Sequence, residues 1–164
     1  MPPLEIFFDY ICPFCRRAHG YLLDLAKKQP LPEIVWRPCE AHPRPEPAHR
    51  HSDLAIRGFF YAQSVNADLW KYHELMYAAV HERNDDIEDI AVLSGIVDGL
   101  LDPEKFAAAL NAGRFKKELA AANDYAYEKS GVWFLPAYRT GGRRLSSAAG
   151  LGVTPQQIEN FITS

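Results

Sequence analysis

The sequence predicts an α/β protein in which two parts of one sheet-forming unit are separated by an all-helical insertion. Three observations lead to this fold class. Residues 4 to 37 carry the pattern of a β-α-β unit, residues 52 to 130 have helical periodicity almost throughout, and residues 132 to 162 return to short β-rich runs followed by one amphipathic helix. One domain, or a small domain carrying an insertion, accounts for the 164 residues.

The first part of the chain predicts a parallel strand pair joined by a helix. Residues 4 to 9 are apolar and aromatic, which is typical of a buried strand. Pro13 suits a first helical turn, where its missing N–H has no partner to lose, so a helix is expected from Pro13 to Lys28, where Gln29-Pro30 ends it. The β-branched and aromatic residues from 33 to 37 predict the second strand.

The middle of the chain predicts a loop followed by a block of helices. Prolines recur between residues 38 and 52, so this stretch is expected to be irregular. Apolar residues at helical spacing then continue to about residue 130. The predicted helices span Asp53 to Ser64, Asp68 to Arg83, Ile87 to Leu100, Pro103 to Leu110 and Arg114 to Lys129.

The C-terminal part predicts a β-hairpin and a final helix. β-rich runs at residues 132 to 138 and 143 to 147 flank Gly141-Gly142, a dipeptide typical of a tight turn. Thr154-Pro155 then provides a helix cap and first turn, and the apolar stripe that follows ends at Ile162.

Composition excludes several classes of protein. The 18 basic and 21 acidic side chains give a net charge of −3 without a dense basic block, so nucleic acid is not an expected partner. No run of about 18 apolar residues and no signal-peptide pattern occur, which predicts no membrane segment and a cytoplasmic location. Three cysteines are too few for a secreted disulfide framework.

Cys12-Pro13-Phe14-Cys15, at the start of the first predicted helix, is the strongest candidate site. Unpaired N–H groups of a helix N-terminus favour a thiolate, and the adjacent Arg16 and Arg17 are expected to add positive charge. Cys15 lies one turn further on the same helical face, at about the 4.4 to 6.8 Å Cα separation that a disulfide requires. We therefore predict Cys12 as the nucleophile and Cys15 as the resolving thiol.

Metal binding is the principal alternative for these residue types. A zinc site needs four ligands, and no second CxxC or HxxxH motif stands at a suitable spacing, so no metal is expected at Cys12 and Cys15. Cys39 with His42, His49 and His51 could also suggest a metal site. Because a proline-rich loop rarely preorganises four ligands, surface histidines with one buried cysteine are the favoured interpretation.

A set of aromatic residues in the helical block has two interpretations. They could line a hydrophobic groove beside the CxxC motif, or they could form helical core with one or two members reaching the cleft, and the second is favoured. The set comprises Phe59, Phe60, Tyr61, Trp70, Tyr72 and Tyr77.

Three motifs together resemble the DsbA-like branch of the thioredoxin superfamily. They are Phe8-Asp9-Tyr10-Ile11-Cys12-Pro13-Phe14-Cys15, Trp36-Arg37-Pro38 leading to His42-Pro43, and Gly131-Val132-Trp133-Phe134-Leu135-Pro136-Ala137. Within the branch, the sequence looks closest to FrnE-like proteins and to 2-hydroxychromene-2-carboxylate isomerases and kappa-class glutathione transferases. The resemblance implies a discontinuous thioredoxin-like domain at residues 1–42 and 131–164, with a helical insertion subdomain at 43–130.

The resemblance also implies roles for residues around the motif. Pro136 would be a cis-proline facing the CxxC motif, and Leu135 would offer its backbone to an extended substrate. Pro13 and Phe14 would support the site. Asp9 is either a proton acceptor for Cys15 or a carboxylate satisfied by neighbouring N–H groups.

Two positions depart from the pattern of the family. Ile6 stands where thioredoxins carry a buried acid six residues before the first cysteine, and the acid here is Asp9, as in the FrnE-like pattern. Cys39 stands where an aromatic residue is expected, so it should occupy an apolar position.

The function implied is thiol–disulfide exchange with protein or low-molecular-weight thiols. The redox-active Cys12–Cys15 disulfide would require no bound cofactor, although glutathione could be a co-substrate. A glutathione-dependent isomerase or transferase is the alternative, but it usually has a serine in place of the first cysteine. A non-catalytic peptide-binding protein is a third possibility, and the oligomeric state is left open.

Overall fold

A computed structural model describes residues 1–47 and 50–164 of the chain. His49 lies outside the described residues, so its predicted place on the surface stays a prediction. In chain order the elements are β1 (Leu4–Phe8), α1 (Pro13–Lys28), β2 (Ile34–Pro38), α2 (Asp53–Ser64), α3 (Leu69–His81), α4 (Ile90–Val97), α5 (Pro103–Asn111), α6 (Lys116–Asp124), a π-helix (Tyr125–Lys129), β3 (Ala137–Thr140), β4 (Arg143–Ser146) and α7 (Pro155–Thr163).

The four strands form one mixed sheet in the order β2-β1-β3-β4. β1 pairs in parallel with β2, where Ile6 faces Trp36, and antiparallel with β3, where Ile6 faces Tyr138. β3 and β4 form the hairpin predicted around the two glycines. The α/β fold class is confirmed, with the helices from α2 to the π-helix lying between β2 and β3. The subdomain boundaries at residues 42/43 and 130/131 stay a prediction.

Helix α1 has the predicted bounds because both of its ends are specified locally. Cys12 has an extended backbone (φ −84°, ψ 116°) and caps the helix, and Pro13 occupies the first turn. At the other end Gln29 returns to the extended conformation ahead of Pro30. The helix buries Cys15, Ala18, His19, Leu22 and Leu25 and so packs one face against the sheet and the insertion.

Several predicted elements differ in extent from the observed ones, and three of these differences have a local structural cause. β3 starts at Ala137 rather than at residue 132, since Pro136 lacks the N–H that a strand paired on both sides must donate. The helix predicted from 114 to 129 starts later because Phe115 has a left-handed backbone (φ 70°), and it continues into the π-helix. Helix α4 is shorter than predicted, since the Asp89 carboxylate caps it by accepting the N–H groups of Ala91 and Val92.

The aromatic set of the insertion is mostly core. Phe59, Tyr61, Tyr72 and Tyr77 are buried, and Phe60 and Trp70 pack against the core while partly exposed. Two of the rings contact the sheet, Phe59 edge-on to Phe8 of β1 and Trp70 edge-on to Trp36 of β2, whereas Phe60 and Tyr61 contact Phe115 and Phe106 within the insertion. Because α2 and α3 turn these rings inward, none of the six lines the cleft at the CxxC motif, contrary to the expectation that one or two would reach it.

A carboxylate in β1 links the sheet to the π-helix. Glu5 accepts hydrogen bonds from Arg37 of β2 at 2.9 Å, from Arg139 of β3 at 2.6 Å and from the hydroxyl of Tyr125 at 2.5 Å. These contacts tie three strands and the end of the insertion together on the sheet surface. In the part of the chain that the structure describes, no helix combines the length and the apolar character needed to cross a bilayer.

Candidate active site

Cys12 stands at the N-terminus of α1, with its sulfur turned back over the first turn. The Cys12 sulfur accepts the backbone N–H of Cys15 at 3.3 Å, as an N-cap side chain does. The side chains of Cys12 and Cys15 therefore lie close together on one face of the helix. Pro13 occupies the first turn, where the chain must bend from the strand into the helix.

Hydrogen bonds lower the pKa of Cys12. The largest cause is the hydrogen bond from the Cys15 side chain, and the backbone N–H groups of Cys15 and Phe14 add to it, while burial and the charge of Asp9 oppose them. The positive charge that Arg16 and Arg17 were expected to add at Cys12 stays a prediction. Arg16 pairs with Glu82 at 2.8 Å, and Arg17 lies 5.6 Å from the centre of the Phe14 ring.

The two cysteines differ in exposure and in acidity. Cys12 is partly exposed, whereas Cys15 is 2% exposed. Burial, together with the neighbouring Cys12, raises the pKa of the Cys15 thiol well above its ordinary value. Both residues are free thiols in this structure. One accessible sulfur that favours the thiolate therefore stands beside a buried sulfur that favours the thiol.

The segment before β3 lies against the Cys12 sulfur. The Leu135–Pro136 peptide bond is cis, and the Cys12 thiol is 3.7 Å from the Leu135 carbonyl oxygen. The Ser147 hydroxyl, at the end of β4, donates a hydrogen bond of 2.5 Å to the Pro136 carbonyl and fixes this segment to the hairpin. The structure thus brings Leu135 and Pro136 to the CxxC motif, while their substrate-binding roles stay a prediction.

Asp9 is buried at the end of β1, behind the cysteines. Its carboxylate accepts the backbone N–H of Ala41 at 2.7 Å and that of Ile11 at 3.3 Å. Burial raises the pKa of Asp9 to about 6, although these N–H groups act in the opposite direction. The carboxylate is therefore satisfied by neighbouring N–H groups, and its pKa lies near neutrality, while its role as a proton acceptor stays a prediction.

Cys39 occupies an apolar position directly after β2. It is fully buried, its thiol lies 3.8 Å from the Phe8 carbonyl oxygen, and burial raises the pKa of this thiol to about 12. His42 and His51 instead contact the carboxylates of Glu46 and Glu88 at 3.0 and 2.9 Å. Among residues 1–47 and 50–164, no three His, Cys, Asp or Glu side chains are grouped as metal ligands.

A cleft of about 580 Å³ opens in front of Cys12. Two of its rim residues, Trp133 and Phe134, are 87% and 48% exposed, which is unusual for large aromatic side chains. Sequence reasoning missed this rim because it placed both residues in a strand. The lining residues are Ile11, Cys12, Pro13, Phe14, Ala41, His42, Arg50, Tyr127, Trp133, Phe134, Leu135, Ala148 and Gly150.

Phe14 closes one side of the cleft and packs on the loop after β4. Gly152 in that loop has a left-handed backbone (φ 71°), and a Cβ atom at this position would lie 3.0 Å from the Cβ of Phe14. A glycine is therefore required here both by the backbone conformation and by the close approach of Phe14. The aromatic residue inside the motif is held by packing.

Together, the α/β sheet, the helical insertion and a CxxC motif at the first strand-to-helix junction define a thioredoxin-fold protein with an insertion. The sequence matches the DSBA-like thioredoxin domain over residues 3–158. The chain therefore belongs to this family, as its motifs had indicated. No curated protein matches the sequence significantly.

Solved structures show the same fold over nearly the whole chain. DsbA from Chlamydia trachomatis has a TM-score of 0.72 and 17% identity, with 98% of this chain and 84% of that chain covered. The cytosolic disulfide reductase DsbM from Pseudomonas aeruginosa, in a structure with GSH, has a TM-score of 0.74 and 16% identity. The match covers 98% of this chain and 97% of that chain. DsbA from Pseudomonas aeruginosa has a TM-score of 0.68 and 18% identity, with 97% of this chain and 79% of that chain covered.

Proposed function

We propose that the protein is a thiol–disulfide oxidoreductase that exchanges a Cys12–Cys15 disulfide with protein or low-molecular-weight thiols. The proposal rests on one observation, that the two adjacent cysteines differ in exposure and in the pKa of their thiols. Hydrogen bonds lower the pKa of the accessible Cys12, and burial raises that of the adjacent Cys15. A nucleophile whose thiolate form is favoured and a resolving thiol that holds its proton more tightly are the two parts that exchange requires.

The proposed reaction proceeds in two steps. The Cys12 thiolate attacks one sulfur of a substrate disulfide, so that a Cys12–substrate bond forms, the substrate S–S bond breaks and one substrate thiolate leaves. Cys15 then loses its proton and attacks Cys12, forming the Cys12–Cys15 disulfide and releasing the second substrate thiolate. Two electrons pass from the cysteines to the substrate, and the reverse sequence oxidises a substrate dithiol.

Asp9 is proposed to accept the Cys15 proton in the second step. Its charge acts on both sulfurs, and burial places its pKa at about 6, close to physiological pH. A buried base of this kind is charged often enough to take a proton from a thiol and weak enough to return it. Pro13 and Phe14 shape the first turn, and Leu135 and Pro136 present backbone to the substrate.

Both protein and small-thiol substrates fit the cleft in front of Cys12. Its volume of about 580 Å³ is sufficient for a tripeptide such as glutathione, which is therefore proposed as a co-substrate rather than as a bound cofactor. The Arg50 guanidinium reaches two backbone carbonyls, of Asp85 and Val80, and lines the same cleft, where it would attract a substrate carboxylate. A cytoplasmic location belongs to the same proposal, and the cytosolic relative DsbM supports it.

The test compares two single substitutions in a disulfide-reduction assay with glutathione as the electron donor. Cys12→Ser should abolish turnover, and Cys15→Ser should accumulate mixed disulfides that mass spectrometry detects as adducts on Cys12. Cys39→Ser is the matched control, because Cys39 is buried away from the cleft, and it should retain activity. Full activity of Cys12→Ser would refute the proposal.

A peptide-binding protein without redox activity is the second candidate, favoured by the exposed Trp133 and Phe134. Binding of an unfolded polypeptide would then survive alkylation of Cys12 and Cys15. If the wild-type protein shows no disulfide exchange and its binding of the unfolded polypeptide survives alkylation, this second function replaces the first.

A further inference from the structure

A small cavity lies on the inner side of Cys15 and is separate from the cleft in front of Cys12. The space in it that is open to the centre of a water molecule is about 10 Å³, which is sufficient for one water. Apolar side chains of the sheet and α1 form part of its wall. The lining residues whose side chains carry polar atoms are Cys15 and His19 from α1, Trp36 from β2, His73 and Tyr77 from α3, and Tyr138 from β3.

Two imidazole nitrogens in this wall need a hydrogen-bond partner. The Nε2 atoms of His19 and His73 are buried and form no hydrogen bond with the described residues. His73 is 1% exposed and His19 8%. A buried polar atom left without a partner is costly, and a cavity of this size between such atoms is where proteins hold a structural water.

The hydrogen bond of His73 determines which of its nitrogens carries the proton. Tyr10 and His73 are both buried, and the Tyr10 hydroxyl is 2.9 Å from the Nδ1 atom of His73. If the hydroxyl donates to Nδ1, both groups are satisfied, whereas the other tautomer would leave the Tyr10 proton without an acceptor. Nε2 of His73 therefore carries the hydrogen. Burial lowers the pKa of His73 well below its ordinary value and that of His19 to about 4, so both rings are neutral at pH 7.

We propose that His19 and His73 hold one buried water molecule against Cys15, and that this water donates a hydrogen bond to the Cys15 sulfur. Both rings line the same water-sized cavity as Cys15, and their centres are 5.6 Å apart, so one water in this cavity would be adjacent to all three side chains. The water accepts the Nε2–H of His73 and has two O–H groups left. One of them reaches Nε2 of His19, and the other reaches the sulfur.

The consequence concerns Cys15 as a leaving group, and it rests on the proposed function. When an external thiolate attacks Cys12 in the Cys12–Cys15 disulfide, the S–S bond breaks and Cys15 must accept the negative charge. The charge of Asp9 opposes the new charge on this sulfur, and the phenols of Tyr77 and Tyr138 face it from α3 and β3, whereas Cys12 is bonded to the attacking sulfur in this step and carries no thiol. A water that donates to the sulfur stabilises the thiolate, so His19 and His73 are positioning residues for this step.

Two measurements test the water site directly. A crystal structure of the reduced protein at about 1.5 Å resolution should show one water within hydrogen-bond distance of both Nε2 atoms and of the Cys15 sulfur. The pKa of Cys15, followed by thiolate absorbance in the Cys12→Ser background, should rise when His19→Leu removes one of the two nitrogens. His19→Gln, which keeps a polar group at this position, should restore most of the wild-type value.

A kinetic measurement tests the leaving-group role. Reduction of the Cys12–Cys15 disulfide by dithiothreitol should be roughly threefold slower in His19→Leu. This is the decrease expected if the acid dissociation constant of the Cys15 thiol, the leaving group, falls about tenfold. Leu25→Ala is the packing control, because Leu25 is buried on the same helix but does not line the cavity, and its rate should be unchanged. His73→Gln provides a second variant if His19→Leu does not fold.

The outcomes separate this inference from the function itself. Absence of water density beside the two nitrogens, or an unchanged Cys15 pKa in His19→Leu, overturns the inference even if the enzyme exchanges disulfides normally. Conversely, if the water and the pKa shift in His19→Leu are both observed but the wild-type protein reduces no disulfide with glutathione, the proposed function is refuted and the water site is retained.

Discussion

The Cys12 sulfur lies 3.7 Å from the carbonyl oxygen of Leu135, a residue 123 positions later in the chain. The contact joins the two separate parts of the sheet-forming unit, since Cys12 follows β1 and Leu135 precedes β3. The Cys12 sulfur therefore lies between the N–H groups of the first turn of α1 on one side and the Leu135 carbonyl on the other. The N–H groups favour the thiolate and the carbonyl favours the thiol, so the balance between them controls the reactivity of Cys12.

The Cys15 side chain is predicted to be the main support of the Cys12 thiolate. Its hydrogen bond is the largest cause of the lowered pKa of Cys12. Cys15→Ala should therefore shift the midpoint of the pH dependence of Cys12 alkylation by iodoacetamide to higher pH. Arg16→Gln is the control, because the Arg16 side chain pairs with Glu82 on the surface, and it should leave the midpoint unchanged. A larger shift with Arg16→Gln than with Cys15→Ala would assign the effect to surface charge.

The exposed Trp133 is predicted to contribute to substrate binding and not to stability. Because its side chain is 87% exposed, Trp133→Ala should change the free energy of unfolding by less than about 0.5 kcal/mol. The same substitution should lower kcat/KM for a protein disulfide about three- to tenfold, mainly through KM, as removal of an aromatic anchor does.

The matched control for Trp133 is Val65→Ala. Val65 is another exposed apolar residue, at the C-terminal end of α2 and outside the cleft. Its substitution should alter neither stability nor kcat/KM appreciably. Equal kinetic effects of the two substitutions would show that the aromatic rim does not contact the substrate.

The sequence alone predicted the features that depend only on residues close together in the chain. Pro13 after an apolar strand identified the start of α1, and the spacing of Cys12 and Cys15 identified the pair of sulfurs. It was misleading where a local pattern has two structural meanings. The β-rich run containing Trp133 resembles a strand, but Pro136 cannot donate to the ladder, so the segment becomes an exposed rim.

Contacts between distant segments could not be predicted from local patterns, and the approach of Leu135 and Pro136 to the CxxC motif was expected only from the family resemblance. His19 could have been noticed, since it lies four residues after Cys15 and therefore on the same helical face. His73 belongs to α3, and only the packing of the insertion against α1 and the sheet brings its ring within 5.6 Å of the His19 ring. The buried state of Asp9 depends in the same way on the loop after β2, which supplies the Ala41 N–H.

Asp9 is predicted to make the protein less stable at neutral than at acidic pH. Its pKa is about 6 in the folded protein and about 3.9 in an unfolded chain, so the folded state binds the proton more tightly. The stabilisation is complete below about pH 4 and is lost as the pH rises through about 6, and its size is about 3 kcal/mol. Denaturant titrations at pH 4 and pH 8 should therefore show a smaller pH dependence in Asp9→Asn than in wild type.

The control for Asp9 is Asp24→Asn. Asp24 forms an exposed pair with Lys27, both side chains being more than two-thirds exposed, and its substitution should leave the pH dependence of stability as in wild type. If Asp9→Asn retained the full pH dependence, the proton uptake would have to be assigned to another carboxyl group, and Asp9 would lose its support as a base.

Because Gly152 contacts Phe14, substitution of Gly152 is predicted to destabilise the protein more than substitution of Gly150. Gly150 and Gly152 have nearly the same backbone conformation, with φ values of 70° and 71°. Gly150→Ala should therefore cost only the backbone strain of a left-handed alanine, about 1 to 2 kcal/mol. A Cβ at Gly150 has no atom within 4 Å, whereas one at Gly152 meets Phe14 at 3.0 Å.

Gly152→Ala should consequently lose a further 1 to 3 kcal/mol, about the cost of overpacking. Because Phe14 forms one wall of the cleft, the displaced ring should also reduce the rate of disulfide exchange, whereas Gly150→Ala should affect the rate less. Denaturant titration of the two variants compares the stabilities, and the glutathione-coupled assay compares the rates. Equal losses of stability in the two variants would mean that the first turn of α1 yields to the new methyl group, and that packing on Gly152 does not fix the position of Phe14.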